Sequence, residues 1–359
     1  MIIILIFVAT KNLNAMKKRR LFVLLLIGLL LPVAIMAQTK VTVTVDKIWD
    51  AGTHAAFTSL VKYKGAYYCT FREGYSHIFD ERGEAEGQVR ILKSTDGNTW
   101  QSIACFGVEG FDLRDPKLSE MPDERLMVTI GGSVYRGKKL VRATPMVSFS
   151  TDGQHFTTPQ PIEIEEQARS AFDWVWRVTW HKGVGYGVSY AGAQNPYINL
   201  LRTTDGIHYS LVKKIELDGF ANETTLRFLP DDRMLMMVRR DQGDQQGYWA
   251  VSNAPYTEWE FQPMGFRLGG QDFVAIDEEH LIVGTRTYFN LPHAKTTLYR
   301  GTIHGDWNEV YVLPSDGDTS YPGIIVEGDE VWVSYYSSTG VPNKAAIFLA
   351  KLPLSLFLD

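Results

Sequence analysis

The sequence predicts an all-β fold, a six-bladed β-propeller built of four-stranded antiparallel blades. Three observations predict it. Six stretches repeat one plan, an apolar strand, a tight polar turn and a second apolar strand, with turn residues at Gly65, Glu124, Gly183, Asp232, Glu279 and Gly328. Those positions lie 59, 59, 49, 47 and 49 residues apart, a period suited to propeller blades. A near-identical seven-residue turn occurs three times, STDGNTW at 94–100, STDGQHF at 150–156 and TTDGIHY at 203–209. No long amphipathic helix separates these stretches, so an α/β layering has no helices to build with.

From the N-terminus, the first feature is a leader. MKKRRLFVLLLIGLLLPVAIMAQ begins at Met16 with a basic cluster, continues as an apolar run and reaches a small residue at Ala37. That is the layout of a secretory signal peptide over 16–37. Residues 1–15 fit no part of it and read as an upstream mis-start. The apolar run is short for a membrane span. The expectation is an exported chain, periplasmic or secreted, with no membrane attachment after cleavage. Residues 38–359 then form a single propeller domain.

KVTVTVD, at 40–46, is a strand that belongs to no repeat unit. The first unit follows: TSLVKYKGAYYCTFRE supplies two strands, QVRILKS a third and WQSIACF a fourth. PKLSEMPDERLMVTIGG, VTWHKGVGYGVSYAG, TTLRFLPDDRMLMMVRR and DFVAIDEEHLIVGTRT open the next four units in the same way. The seven-residue turn joins third strand to fourth in units one to three. Units four and five carry APYTEW and IHGDW there, keeping only the tryptophan. The last unit, GIIVEGDEVWVSYYSS followed by AAIFLAKLPL, lacks a fourth strand. Pairing the spare N-terminal strand into it would close the ring and remove two exposed edges. Within the repeated turn, Asp accepts backbone amides, Gly supplies a positive φ and the final aromatic fills the space between blades. The turn specifies fold, not chemistry.

Composition narrows the partners. A formal net charge of −5 with no dense basic stripe excludes nucleic acid. The 9 Trp and 17 Tyr serve core packing or sugar stacking. The two cysteines, Cys69 and Cys105, are expected as unpaired buried thiols. No metal-ligand spacing, phosphate loop or serine-nucleophile motif is present, so no cofactor and no metal are expected.

Sorting residues by face locates the chemistry. One face carries solvated turns such as KG, PDE, PDD and EGD. The other gathers the starts of first strands and the ends of second strands. First-strand starts bring His54, Arg114 with Asp115, Trp176 with Arg177, Asn222 with Glu223, Gln271 with Asp272, and Tyr321. Second-strand ends bring Arg72, Tyr190, Arg239, Arg286 and Tyr335. Arg72, Arg239 and Arg286 share one repeat position in three units, and their guanidinium forks match a carboxylate. They form a candidate anion clamp.

The S-x-D-G-x-x-W/F turns resemble the Asp-boxes of the sialidase superfamily, and the resemblance covers the whole chain after the leader. It implies a six-bladed propeller and, residue by residue, a site. Sialidases pair a Glu at the start of the fourth blade's first strand with a Tyr at the start of the last blade's; ANETTLRF offers Glu223 and DTSYPGII offers Tyr321. LMMVRRD offers Arg239 for the arginine that closes the second strand of blade four. The acid/base aspartate lies in the loop after the second strand of blade one, here EGYSHIFDERGEAEG; Asp80 is the first choice, then His77 and Glu81. A phenol with a reference pKa of about 10 is a poor nucleophile until a neighbouring carboxylate takes its proton. A neutral nucleophile also suits an anomeric carbon that bears a carboxylate. The sequence departs from the family at GTHAAFTSL, where His54 and Ala55 replace the arginine of the R-I-P motif.

The implied function is an exo-acting glycosidase that removes a terminal acidic sugar from a glycan or oligosaccharide, with retention. Tyr321, Glu223 and Asp80 would be catalytic; Arg72, Arg239, Arg286, His77, Arg177 and Trp176 would bind substrate. Two other readings remain open. A lyase acting on uronic acids would use His77 or Tyr321 to move protons. A non-catalytic glycan-binding propeller would stack sugar on Trp174, Trp176 and Tyr190.

Overall fold

The second strand of the first unit, Ala66–Gly74, is buried along nearly its whole length, whereas the fourth, Gln101–Phe106, is half open. A strand covered on both faces reads as a continuous apolar run, and an outer strand alternates. This gradient recurs through the chain and sets the architecture. The computed structural model describes residues 42–191, 196–290 and 293–358. The expected leader at 16–37 and residues 1–15 lie outside the described residues.

Antiparallel sheets follow one another along the described chain. Asp112–Glu120, Leu126–Arg136, Lys139–Ser150 and Gln160–Pro161 form one four-stranded sheet. Ala221–Phe228, Met234–Arg240, Tyr248–Ser252 and Gln262–Pro263 form a second, and Asp272–Ala275, His280–Asn290, His293–Thr302 and Asn308–Val312 a third. Between them, Trp174–His181, Val184–Tyr190, Tyr197–Thr203 and His208–Glu216 gain a fifth member, because Glu163–Ile164 runs parallel to His208 and Tyr209. That short strand was not legible in the sequence. An eight-stranded sheet holds the first and last strands of the described residues. In it His54–Tyr63, Ala66–Gly74, Gln88–Ser94 and Gln101–Phe106 meet Thr319–Glu327, Glu330–Ser338 and Ala345–Pro353 through a single parallel bridge, His54 to Ala345. Thr44–Trp49 pairs antiparallel with Ala345–Pro353, in the register Thr44 opposite Lys351. The first strands of successive sheets touch in turn, and Thr319–Glu327 touches both Asp272–Ala275 and His54–Tyr63.

The repeated turns have one hydrogen-bond plan. Asp96 Oδ1 accepts from the amides of Asn98 and Thr99, and Ser94 Oγ accepts from Gly97 N. Asp152 with Ser150 and Asp205 with Thr203 repeat those bonds. Gly97 has φ +70°, and a Cβ there would stand 2.1 Å from the Trp332 ring. The turn therefore packs against Trp332 of Glu330–Ser338, and only glycine meets both demands.

Cys69 is buried and Cys105 exposed, both unpaired. The expectation of two buried thiols fails at Cys105 because it lies on the outer strand Gln101–Phe106.

Candidate active site

Five first strands carry a β-bulge at the same place. Two residues oppose one at Phe57–Thr58, Asp115–Pro116, Trp176–Arg177, Asn222–Glu223 and Tyr321–Pro322. A bulge adds a residue, sharpens the local twist and re-aims a side chain. Phe57, Asp115 and Tyr321 sit at φ 68°, 48° and 51°, a region that L-residues avoid and that costs about 1–3 kcal/mol each. The strain falls at one level of successive sheets, and the re-aimed side chains meet.

Tyr321 is at their centre. Its ring lies 4.8 Å from Phe57 and 5.5 Å from Trp176, and the residue is only 7% exposed. Its phenol donates to Glu223 Oε1 at 2.5 Å. Arg239 Nη1 donates to Glu223 Oε2 at 2.8 Å and lies 3.4 Å from the Tyr321 oxygen. Gly270 N donates to the same Oε2 at 2.9 Å. Burial and the Glu223 charge push the Tyr321 phenol well above its ordinary value, so the free site holds a neutral phenol beside Glu223. Lys117 lies beneath, buried, its Nζ donating to the carbonyls of Phe57 and Thr58 and lying over the Trp176 and Tyr321 rings. Desolvation, then Arg177, lowers its pKa.

Arg286 is the second partly open guanidinium. It donates from Nε to Thr319 O at 2.7 Å and from Nη2 to the Tyr336 hydroxyl at 3.0 Å, and its carbon is 5.8 Å from the Tyr321 ring. Arg239 and Arg286 keep 13% and 16% of their side chains exposed. Arg267 joins them: it shares Asp241 with Arg239 and lies over the Tyr288 ring. The sequence reading missed Arg267, which sits in the loop between two units.

Other assignments need correction. Arg72 is fully buried, pairs with Asp112 at 2.8 Å and donates to Ser76 O and Ile78 O. It ties the first loop to the next sheet and has no face left for a ligand. Arg177 is likewise consumed, by Asp272 at 3.3 Å and Pro322 O at 3.0 Å. Trp176 is 0% exposed, so it packs against Tyr321 and offers no stacking surface. Asp80 accepts from the amides of Glu84 and Arg82 and from the Arg82 guanidinium. These bonds hold its carboxyl below the ordinary value, the opposite of what a proton donor at neutral pH needs. Its alternative Glu81 accepts from the Tyr75 phenol at 2.5 Å on the exposed loop. The second-strand tyrosine facing the site is Tyr336, not Tyr335. The last hairpin turns on Gly328 and Asp329, so Gly328 is its first residue where Gly65 is the second in its own.

Asp115 has the environment that Asp80 lacks. It is buried, and its Oδ1 has no partner. Desolvation raises its pKa against the pull of Lys117 and Arg114, with help from Glu223. Its position was legible as a first-strand start, but its orientation depends on the bulge.

His77 projects from the first loop at the rim, half-exposed, with Nδ1 2.7 Å from Asp318 Oδ2. His54, nearly buried, brings Nε2 to 3.0 Å from the same oxygen. Burial lowers the His54 pKa, which keeps its ring neutral. The Phe57 ring separates this cluster from Tyr321, with centroids 5.2 Å from His77 and 4.8 Å from Tyr321.

No protein-family model and no curated protein matches the chain. Solved structures do. A protein of unknown function from Dyadobacter fermentans DSM 18053 superposes with a TM-score of 0.72 at 19% identity, over 86% of this chain and 99% of that one. The Trypanosoma rangeli sialidase in complex with sialic acid gives 0.62 at 9% identity; this chain is 84% covered and spans 54% of the sialidase. An α-L-arabinofuranosidase of Fusarium graminearum, in complex with an iminosugar inhibitor, gives 0.61 at 14% identity, over 85% and 95%. Identities this low speak for fold alone. The described residues thus have the all-β, sialidase-like fold of the propeller glycosidases.

Proposed function

We propose that this chain is an exported, exo-acting glycoside hydrolase that cleaves a terminal acidic sugar from a glycan with retention, on a six-bladed ring closed by the pairing of its first and last strands. The 2.5 Å bond from the Tyr321 phenol to Glu223 carries this reading. Glu223 takes the phenolic proton as Tyr321 attacks the anomeric carbon, and the Arg239 guanidinium offsets the charge that builds on the oxygen. The buried carboxyl of Asp115 gives its proton to the leaving oxygen, then takes one from the water that releases the sugar. This assignment replaces Asp80. Arg286, with Arg239, faces the sugar's carboxylate. The sialidase solved with sialic acid shares the fold and supports an acidic sugar as substrate.

An activity screen tests the reading, with a fluorogenic sialoside, uronic-acid glycosides and neutral exo-glycosides, and ultraviolet detection of unsaturated product. Release of an acidic sugar with retained anomeric configuration is expected. Tyr321→Phe should lower kcat by at least about 10³-fold with an unchanged melting temperature, since it removes the attacking atom. A wild-type rate in that variant ends the mechanism. An ultraviolet-absorbing product would turn the assignment to a lyase with His77 as the proton carrier.

A further inference from the structure

His54 opens a strand, His77 lies in the loop after the next strand and Asp318 in the bend before Thr319–Glu327, yet one ring nitrogen of each histidine and one carboxylate oxygen of Asp318 lie within 4.8 Å of one another. No sequence spacing announces them, because 264 residues separate His54 from Asp318. Both imidazoles aim at the same oxygen, Oδ2, at 3.0 and 2.7 Å. Ligands about 2.0–2.1 Å from an ion in tetrahedral array lie roughly 3.3 Å apart, so small shifts would seat one ion among these atoms. The rings meet edge to face with centroids 5.4 Å apart, which turns two different nitrogens to a common point.

We propose that His54, His77 and Asp318 bind a divalent transition-metal ion of the zinc class, three protein ligands leaving at least one position open. Two imidazoles and a carboxylate select this class over Ca²⁺ or Mg²⁺, which take oxygen ligands. An outer shell is in place: Tyr336 donates to Asp318 Oδ1 at 2.6 Å, and Arg286 stands 3.6 Å from that oxygen, leaving Oδ2 to the imidazoles. Arg114 holds the His77 carbonyl at 2.9 Å. Such partners orient ligands and raise metal affinity. His77 is 46% exposed and Asp318 30% in their side chains, so an ion can enter and a sugar hydroxyl or carboxylate can reach it. The site goes beyond the Tyr321–Glu223 reaction and stands or falls separately from it.

Calorimetric titration of the chelator-stripped full chain with ZnCl₂, with metal analysis and thermal melting, tests the site. One equivalent bound and a raised melting temperature are expected. His77→Ala, at a half-exposed position, and Asp318→Asn should each weaken binding by at least about 100-fold, since even outer-shell losses cost ~10–100-fold. His155→Ala, in an exposed His–Asp pair elsewhere, should leave the affinity unchanged. Tyr321→Phe should keep the zinc while losing turnover. Absence of saturable micromolar binding, full affinity in folded His77→Ala, or preference for Ca²⁺ would each overturn the proposal.

Discussion

Tyr321 holds an unfavourable backbone angle because its neighbours leave it no alternative. Thr58 Oγ1 donates to its carbonyl at 2.7 Å, Ser320 Oγ anchors to Gly269 O, and Gly270 lies flat against its ring. A Cβ on Gly270 would stand 2.3 Å from that ring, at φ +61°. Gly270→Ala should therefore move the ring off Glu223, cost about 1–3 kcal/mol and reduce kcat more than KM; thermal melting and steady-state kinetics check this. Asp115→Asn should slow cleavage of poor leaving groups by about 10²–10⁴-fold while sparing activated aryl glycosides, because the latter need no proton. A raised carboxyl pKa extends the donor form to higher pH, so the alkaline limb of kcat/KM should flatten in the variant. Arg286→Ala should raise KM for an acidic glycoside roughly 10–100-fold, the worth of one charged hydrogen bond, with little change for a neutral one.

Among the elements, the turns and the bulges were unequally legible. The three Asp–Gly turns were plain in the sequence because their bonds are local. Asp96 is held down to about 2, first by the Thr99 and Asn98 amides, from an ordinary 3.8. A depressed carboxyl contributes stability above its unfolded value and loses it as pH falls through the folded one. The window for Asp96 is thus about pH 4 to pH 2. Asp96→Ala should lower the melting temperature at pH 7 by roughly 2–4 °C and by progressively less as pH falls from 4 toward 2, as scanning calorimetry would show. The bulges were not legible, because an extra residue in one strand shows only against its partner strand. Hence Asp115 is legible as a polar strand start on the ligand face but not as a buried carboxyl with an unpartnered oxygen, and the bulge at Phe57 is not legible at all. Arg72 was misassigned for the same reason: Asp112, which neutralises it, arrives from the next sheet.

For the whole molecule, the period of the repeat showed how the sheets succeed one another, and the spare strand KVTVTVD showed an unsatisfied edge. Deleting residues 42–49 would leave Ala345–Pro353, an apolar strand, unpaired along one side. The shortened chain should melt at least about 10 °C lower and self-associate, as light scattering would report. The His54–His77–Asp318 cluster lay beyond sequence reasoning, since only the complete assembly brings those residues together. The same pairing of ends sets a clock on biogenesis. Thr44 meets Lys351, about 300 residues later in synthesis, and translation at about 5–20 residues per second makes the first strand wait roughly 15–60 s for its partner. The pair that joins them is thus a contact of very long sequence separation, the kind that slows folding.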